Sequence, residues 1–521
     1  MSANPDTATT KPKKLVQGKE GNQATIGNQS QDTSSAEGVE EGGELPAGWT
    51  EQRIEQIFAR LEDGRTLHQG WSPQCEKVPS PEEDVWGVLK TTSIQAGAFQ
   101  PEHNKLLPST LQPRPLIEVK EGDILITCAG PRVRCGVSCL VRQTRKRLMM
   151  SGKMYRFRVD ADRTDARYVE AFLLTERARL AIDKMKTGSS DSGLNLTHAR
   201  FRQLSIPVAP LPEQRQIVAE IEKQFTRLEA GVAALRRVQA NLKRYRAAVL
   251  KAACEGRLVP TEAELAKTGK RKAKFETGKA LLTRIFTELR ESRHGRGRYK
   301  EPVTPDKTIL PLIPEGWTWA SLEQIARSSS YGTSAKCSPD NSGPPVLRIP
   351  NITGGRIDLS ELKFAGMGES IEVGEELAPG DLLIIRTNGS KNLIGRSAVV
   401  RAKLDPPTSY ASYLIRFRLF GTPTIFDWVG TIWDVPFLRA WIEQRAATSA
   451  GQHNISMSVL NTMPIPLPPL AEQTRIVAEV ERRLSVVEEL EATVSANLQR
   501  ATRLRQSILQ KAFSGKLLTS Q

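Results

Sequence analysis

The sequence predicts an α+β fold made twice: two similar α/β globes separated by two long coiled-coil helices and related by an internal two-fold repeat. Three observations predict it. The segment from Leu211-Pro212-Glu213-Gln214 through Leu258 returns 259 residues later as Leu470-Ala471-Glu472-Gln473 through Leu517, with no gap. Each copy opens alike, Leu45-Pro46-Ala47-Gly48-Trp49-Thr50 against Ile313-Pro314-Glu315-Gly316-Trp317-Thr318, so the unit is a globe of about 160 residues followed by a helix. Inside both globes, short apolar runs bounded by Gly, Pro and Asp follow one order, as strands do.

Residues 1–44 are rich in Ser, Thr, Gln, Asn, Gly and Glu, carry few large apolar groups, and are predicted to be a disordered tail. Residues 45–205 form the first globe, with strands at Gly87-Val88-Leu89, Gly122-Asp123-Ile124-Leu125-Ile126-Thr127 and Tyr155-Arg156-Phe157-Arg158-Val159, then a helical stretch Tyr168–Met185. Residues 206–258 are the first helical spacer. Its seam is Ile221, Phe225, Leu228, Val232, Leu235, Leu242 and Val249, spaced by three, four or seven. Residues 259–312 form a basic linker, with a short amphipathic helix marked by Leu281-Leu282, Ile285-Phe286 and Leu289. Such a charge run reads as a solvated linker, with docking or DNA-backbone contact as the alternative.

The second globe, residues 313–463, repeats the order with Gly380-Asp381-Leu382-Leu383-Ile384-Ile385, Ser397-Ala398-Val399-Val400, Leu414-Ile415-Arg416-Phe417-Arg418-Leu419 and a helix near Asp427 to Arg445. Residues 464–521 are the second helical spacer, with the seam Val480, Leu484, Val487, Val494, Leu498 and Ile508. Polar residues interrupt both seams, Gln239 and Arg246 in one, Glu491 and Arg505 in the other. Each helix runs about 40 residues, roughly 60 Å. An apolar stripe of that length needs a partner, and the simplest is the other helix, parallel or antiparallel.

The balance of 74 Lys and Arg against 58 Asp and Glu, a net charge of +16, favours a polyanionic partner, nucleic acid first. The six cysteines, at 75, 128, 135, 139, 254 and 337, lack the paired spacing of a zinc site and read as reduced, mostly buried thiols. No run of 18 apolar residues exists, and the first 44 residues lack the apolar centre of a signal peptide, so a cytoplasmic chain without a membrane partner is expected.

Two proline-bound exits lead into the helices, Pro207 to Gln214 and the stronger Pro464, Pro466, Pro468, Pro469, Leu470, Ala471, Glu472, Gln473. The helices leave through Leu250-Lys251-Ala252-Ala253-Cys254-Glu255-Gly256-Arg257-Leu258 and Leu509-Gln510-Lys511-Ala512-Phe513-Ser514-Gly515-Lys516-Leu517. With the Leu-Pro-x-Gly-Trp opening, this layout resembles the specificity subunit of a type I restriction-modification system over residues 45–521. The resemblance implies that each globe is a target recognition domain reading half of a gapped site in double-stranded DNA. It implies helices that set the gap and, through the same seam residues, Ile221, Phe225, Leu228, Val232, Leu235, Leu242, Val480, Leu484, Val487, Val494, Leu498 and Ile508, dock two methyltransferase subunits, which restriction subunits join. S-adenosylmethionine, ATP and Mg would sit on those partners; this chain would bind no cofactor or metal and do no chemistry.

Candidate DNA-binding residues in the second globe are Tyr331, Thr333, Ser334 and Lys336 in one loop and Arg386, Asn388, Ser390 and Lys391 in another, with Arg386 suited to guanine and Asn388 to adenine. Solvated turn residues are the alternative for each. In the first globe, Arg132 and Arg134 with Arg142, Arg145, Lys146 and Arg147 form the densest basic cluster, suited to phosphate contacts. Sequence readout there has no assignment. Asn195 and Asn454 sit at equivalent points and read as turn residues.

Three near-motifs are set aside. Asp405-Pro406-Pro407-Thr408 lacks the aromatic that an adenine methyltransferase stacks on its flipped base. The stretch from Gly389 to Gly395-Arg396-Ser397 has the wrong spacing for a phosphate loop and Arg in place of Lys. Asp340 and Glu361 with Lys363 resemble a nuclease metal site only if they fall on adjacent strands. A self-contained nuclease using that pair and a coiled-coil adaptor that binds no DNA are the two rival readings.

Overall fold

The computed structural model describes residues 45–80, 83–269, 275–291, 301–306, 308, 310–341, 343–366, 376–449 and 451–518. The expected tail, residues 1–44, and the basic residues Lys270, Arg271, Lys272, Lys274, Arg293, Arg296, Arg298 and Lys300 lie outside them.

Each globe is built on a four-stranded antiparallel sheet of one order. In the first it runs His68–Gln69, Met154–Phe157, Ile124–Thr127, Ser138–Leu140; in the second Ala326–Tyr331, Leu414–Leu419, Asp381–Ile385, Ser397–Val399. The two central strands explain the repeated motifs. Asp123 is fully buried and accepts from Arg158 Nε at 2.6 Å, and Asp381, equally buried, accepts from Arg418 Nε at 2.7 Å. A buried carboxylate needs such a charge-assisted partner, so the Gly-Asp strand must pair with the Arg-x-Arg-bearing strand.

A two-stranded ribbon then closes each globe, Thr50–Arg53 on Ser205–Val208 and Thr318–Ser321 on Pro464–Leu467. The tryptophan of each opening donates to the glutamate of each helix start, Trp49 to Glu213 at 3.1 Å and Trp317 to Glu472 at 2.9 Å. The following glutamines, both fully buried, donate to the carbonyls of Ala209 and Pro468 at 2.8 and 2.9 Å. These bonds fasten the ribbon to the first turn of the helix, which is why opening and exit recur together.

The helical stretches within the globes are each two helices. Ala166–Leu173 gives way to Glu176–Met185 because Thr175 caps the second, accepting from Ala178 N; Pro423–Ile432 gives way to Pro436–Arg445 because Pro436 cannot continue a helix.

The long helices Leu211–Cys254 and Leu470–Phe513 are 44 residues each and pack antiparallel. Arg246 meets Glu491 at 3.2 Å, while Arg505 meets Glu229 at 3.1 Å and lies 4.1 Å over the Phe225 ring. Three of the polar interruptions are therefore interhelical ion pairs that fix direction. Of the seam, Ile221, Val249, Val480, Val487, Val494 and Ile508 are buried, while Phe225, Leu228, Val232, Leu235, Leu242, Leu484 and Leu498 are half-buried.

Antiparallel packing makes each helix belong to both globes. The first core contains Ile217, Val218 and Ile221 from the start of the first long helix, Leu509, Ala512 and Phe513 from the end of the second, and Leu517 just after it. The second core contains Ile476, Val477 and Val480 with Val249, Leu250 and Ala253. Globe and helix are thus less separate than the expected boundaries at 205 and 463 imply: apolar side chains at the helix ends are buried only by joining both cores.

The short amphipathic helix expected inside the basic linker is Gly278–Glu291, and it is not solvated on its apolar side: it buries Leu281, Ile285 and Leu289 against Trp317, Ala320, Leu322 and Ile325 of the second globe. Its basic residues face out while its apolar stripe completes a core.

Candidate nucleic-acid interface

One end of each four-stranded sheet gathers four segments. In the second globe they are Tyr331–Ser334, Arg386–Lys391, Ala411–Tyr413 and the strand Gln452–Asn454, which pairs Asn388 with His453 and Thr387 with Asn454. Chain connectivity brings all but one of the residues proposed from sequence to this end. The Arg386 guanidinium lies 4.5 Å over the Tyr331 ring, a cation–π stack that holds the arginine extended, and its buried Nε has no hydrogen-bond partner. Tyr331 is 40% exposed. Its hydroxyl accepts from Met457 N at 3.4 Å. Asn388 Oδ1 accepts from Ser390 N at 2.7 Å, which shapes the turn that displays exposed Ser390 and Lys391. Thr333 is half-buried, with its hydroxyl accepting from Ala335 N at 3.1 Å; Ser334 is exposed. Lys336, also exposed, lies beyond, leading into the edge strand Cys337–Ser338.

The first globe gathers the same four segments: Gln69–Ser72, Cys128–Arg134, Ser151–Lys153 and the strand Leu194–Asn195, which pairs with Ala129–Gly130. The turn asparagines Asn195 and Asn454 are therefore strand residues in equivalent bridges. Gly70 and Gly332 mark the match, since a β-carbon at either would collide with a backbone carbonyl of Ser151 or Tyr410.

The basic cluster is arranged differently from a row of phosphate contacts. Arg132 is held by Asp183 at 2.6 Å and Asp191 at 3.1 Å, Arg134 donates to the carbonyls of Thr91 and Ile94, and Arg142 pairs with Glu170 at 2.5 Å. Arg145 donates to the Val85 carbonyl at 3.2 Å, and Arg147 donates to the carbonyl of Asp84. Lys146 is exposed. Arg132 and Arg134 lie in the gathered end; Arg142, Arg145 and Lys146 do not. Sequence reasoning missed Tyr413, 57% exposed in the second globe, and the whole Gln69–Ser72 edge of the first. The glycine repeated at 70 and 332 was the available signal.

Cys128 and Cys139 are buried thiols whose pKa values burial pushes up to about 12, and no group of three or more His, Cys, Asp or Glu among the described residues could hold a metal. Asp340 and Glu361 lie just outside two strands that pair, Cys337–Ser338 with Lys363–Ala365, and neither is itself a strand residue, so the placement on adjacent strands that the nuclease reading requires is met only by Lys363. Among the described residues no helix is long and apolar enough to cross a membrane.

No family model matches the chain. The type I restriction enzyme EcoEI specificity subunit of Escherichia coli is 41% identical over 182 residues, which are 35% of this chain and 30% of that protein. The EcoKI specificity subunit of Escherichia coli strain K12 is 24% identical over 490 residues, 91% of this chain and 90% of that protein. A solved structure from work on complex assembly and conformational transition of the type I R-M system shares the fold, with a TM-score of 0.58 at 18% identity over 91% of this chain and 100% of that one. The match to the first relative spans under a third of its length, and the match to the second nearly all of it. With the repeated openings, exits and antiparallel helices in place, the chain is similar over nine-tenths of its length to type I restriction enzyme specificity subunits.

Proposed function

We propose that the chain is the sequence-reading, non-catalytic subunit of a type I restriction-modification assembly. Each globe would cover one half of a gapped site in duplex DNA. The observation that carries this reading is the pair of equivalent sheet ends, matched in backbone and different in side chains: Tyr331, Arg386 and Lys391 in one, Gln69, Trp71 and Val133 in the other. Such an arrangement serves two readers on one scaffold, which gain specificity together when their separation suits the duplex.

The helices would both set that separation and dock two methyltransferase subunits. Val238, Tyr245, Val486, Leu490 and Leu504 stand exposed along them, outside the seam, as apolar contacts for such partners. Restriction subunits would join those partners, and S-adenosylmethionine, ATP and Mg would be bound there. The net charge of +16 favours DNA over the adaptor reading.

The test is selection from a random duplex library by the chain co-purified with its methyltransferase. Two enriched blocks at a constant spacing are expected; enrichment of nothing, or of a single ungapped block, contradicts the reading.

A further inference from the structure

We propose that Val133 is a specificity-determining residue of the first globe, contacting the 5-methyl group of a thymine in the half-site which that globe covers; this rests on the DNA-reading role above. The internal repeat supplies the position. Leu194 bridges Gly130 as His453 bridges Asn388, so counting three residues on from each bridge places Val133 where Lys391 stands in the second globe. One position displays a cation and its counterpart an apolar side chain.

The loop is braced so that the valine is what it presents. On one side, Arg132 is tied to Asp183 and Asp191, and Lys186 Nζ donates to the Arg132 carbonyl at 2.9 Å. On the other, the Arg134 guanidinium turns back onto the carbonyls of Thr91 and Ile94, and its own carbonyl accepts from the Thr127 hydroxyl. The tip between them, Val133, is 82% exposed. A lone exposed valine is ordinary on a protein surface. A valine at the tip between two arginines, one neutralised by Asp183 and Asp191 and the other turned back onto backbone carbonyls, is not. In the major groove the apolar feature that a base offers is the thymine methyl, and an aliphatic side chain is its complement.

The experiment repeats the duplex selection with the chain and its methyltransferase, using Val133→Ala; the half-site of the first globe is the block that Arg386→Ala leaves unchanged. At 82% exposure, Val133→Ala leaves the fold intact. Losing its two methyl groups is expected to weaken preference for thymine at one position of that block by roughly four- to fifteenfold. Replacing that thymine by deoxyuridine should weaken binding of the unaltered chain by a similar factor and leave the Val133→Ala chain nearly unaffected. Unchanged selection by Val133→Ala, a change confined to the other block, or equal sensitivity of both chains to deoxyuridine overturns the proposal. Failure of the unaltered chain to select any gapped site would instead overturn the DNA-reading role itself.

Discussion

The second globe is sealed where the first is open. In the second, Phe275 packs on Gly316, the helix Gly278–Glu291 covers the closing ribbon, and Phe426 closes over Gly380. In the first, Ala166 takes the place of Phe426, nothing lies within 4 Å of a β-carbon built on Gly122, and two clefts of about 320 and 380 Å³ stand open at the matching positions. The repeat thus preserves a skeleton while one insertion and one aromatic decide how much of its core each globe supplies. The first globe draws more of its closure from the far end of the chain.

The sharpest way to break this comparison is Phe513→Ala. Phe513 follows the second globe in sequence, yet its ring lies 4.9 Å from Tyr168 and 5.4 Å from Phe172 in the first. Its loss is expected to destabilise the first globe by about 3–5 kcal/mol and spare the second. Hydrogen exchange resolved by globe reads this, and equal loss in both would refute the shared core. In the opposite direction, Ile285→Ala should remove about 2–5 kcal/mol from the second globe alone, because the first has no counterpart of that helix among the described residues.

At the candidate interface, Arg386→Ala is expected to relax one base position of one half-site by about 1–3 kcal/mol of discrimination and leave the other half and the spacing unchanged, as read by duplex selection. Filling the open cleft with Ala166→Phe should stabilise the first globe by about 0.5–2 kcal/mol, checked by thermal unfolding.

The smallest effect is a pH dependence confined to one globe. Burial, then the nearby Arg202, holds the His198 pKa below 6.5. The folded state therefore disfavours protonation: stability is unaffected by His198 above 6.5 and is lost as pH falls from 6.5 toward the lowered value. The residue after the equivalent helix cap is Met457, which does not titrate. His198→Met should remove part of the acid loosening of the first globe in melts between pH about 7 and about 5.

What the sequence made legible were features with short-range causes. Heptad spacing marked both long helices, and the Gly-Asp and Arg-Phe-Arg runs marked the paired central strands. Helix direction was not legible, since Arg246 and Glu491 or Arg505 and Glu229 declare it only once paired across the seam. The first globe's candidate interface was hidden for a similar reason. Its edge strand His68–Gln69 has two residues, too few for an alternating pattern, and the arginines that looked like DNA contacts are bound by Asp183, Asp191 and Glu170 from distant segments. The apolar stripe of Leu281, Ile285 and Leu289 marked the helix inside the basic linker but not its place in the second core, because that seat forms only when the second globe folds.

The measurement that bears most directly on the specificity role is single-molecule methylation mapping of DNA from cells carrying the chain and its companion methyltransferase, compared with cells lacking the chain alone. A gapped, asymmetric N6-methyladenine motif that disappears with the chain is the predicted result. Methylation unchanged by its loss would contradict the role and leave the adaptor and nuclease readings to be tested.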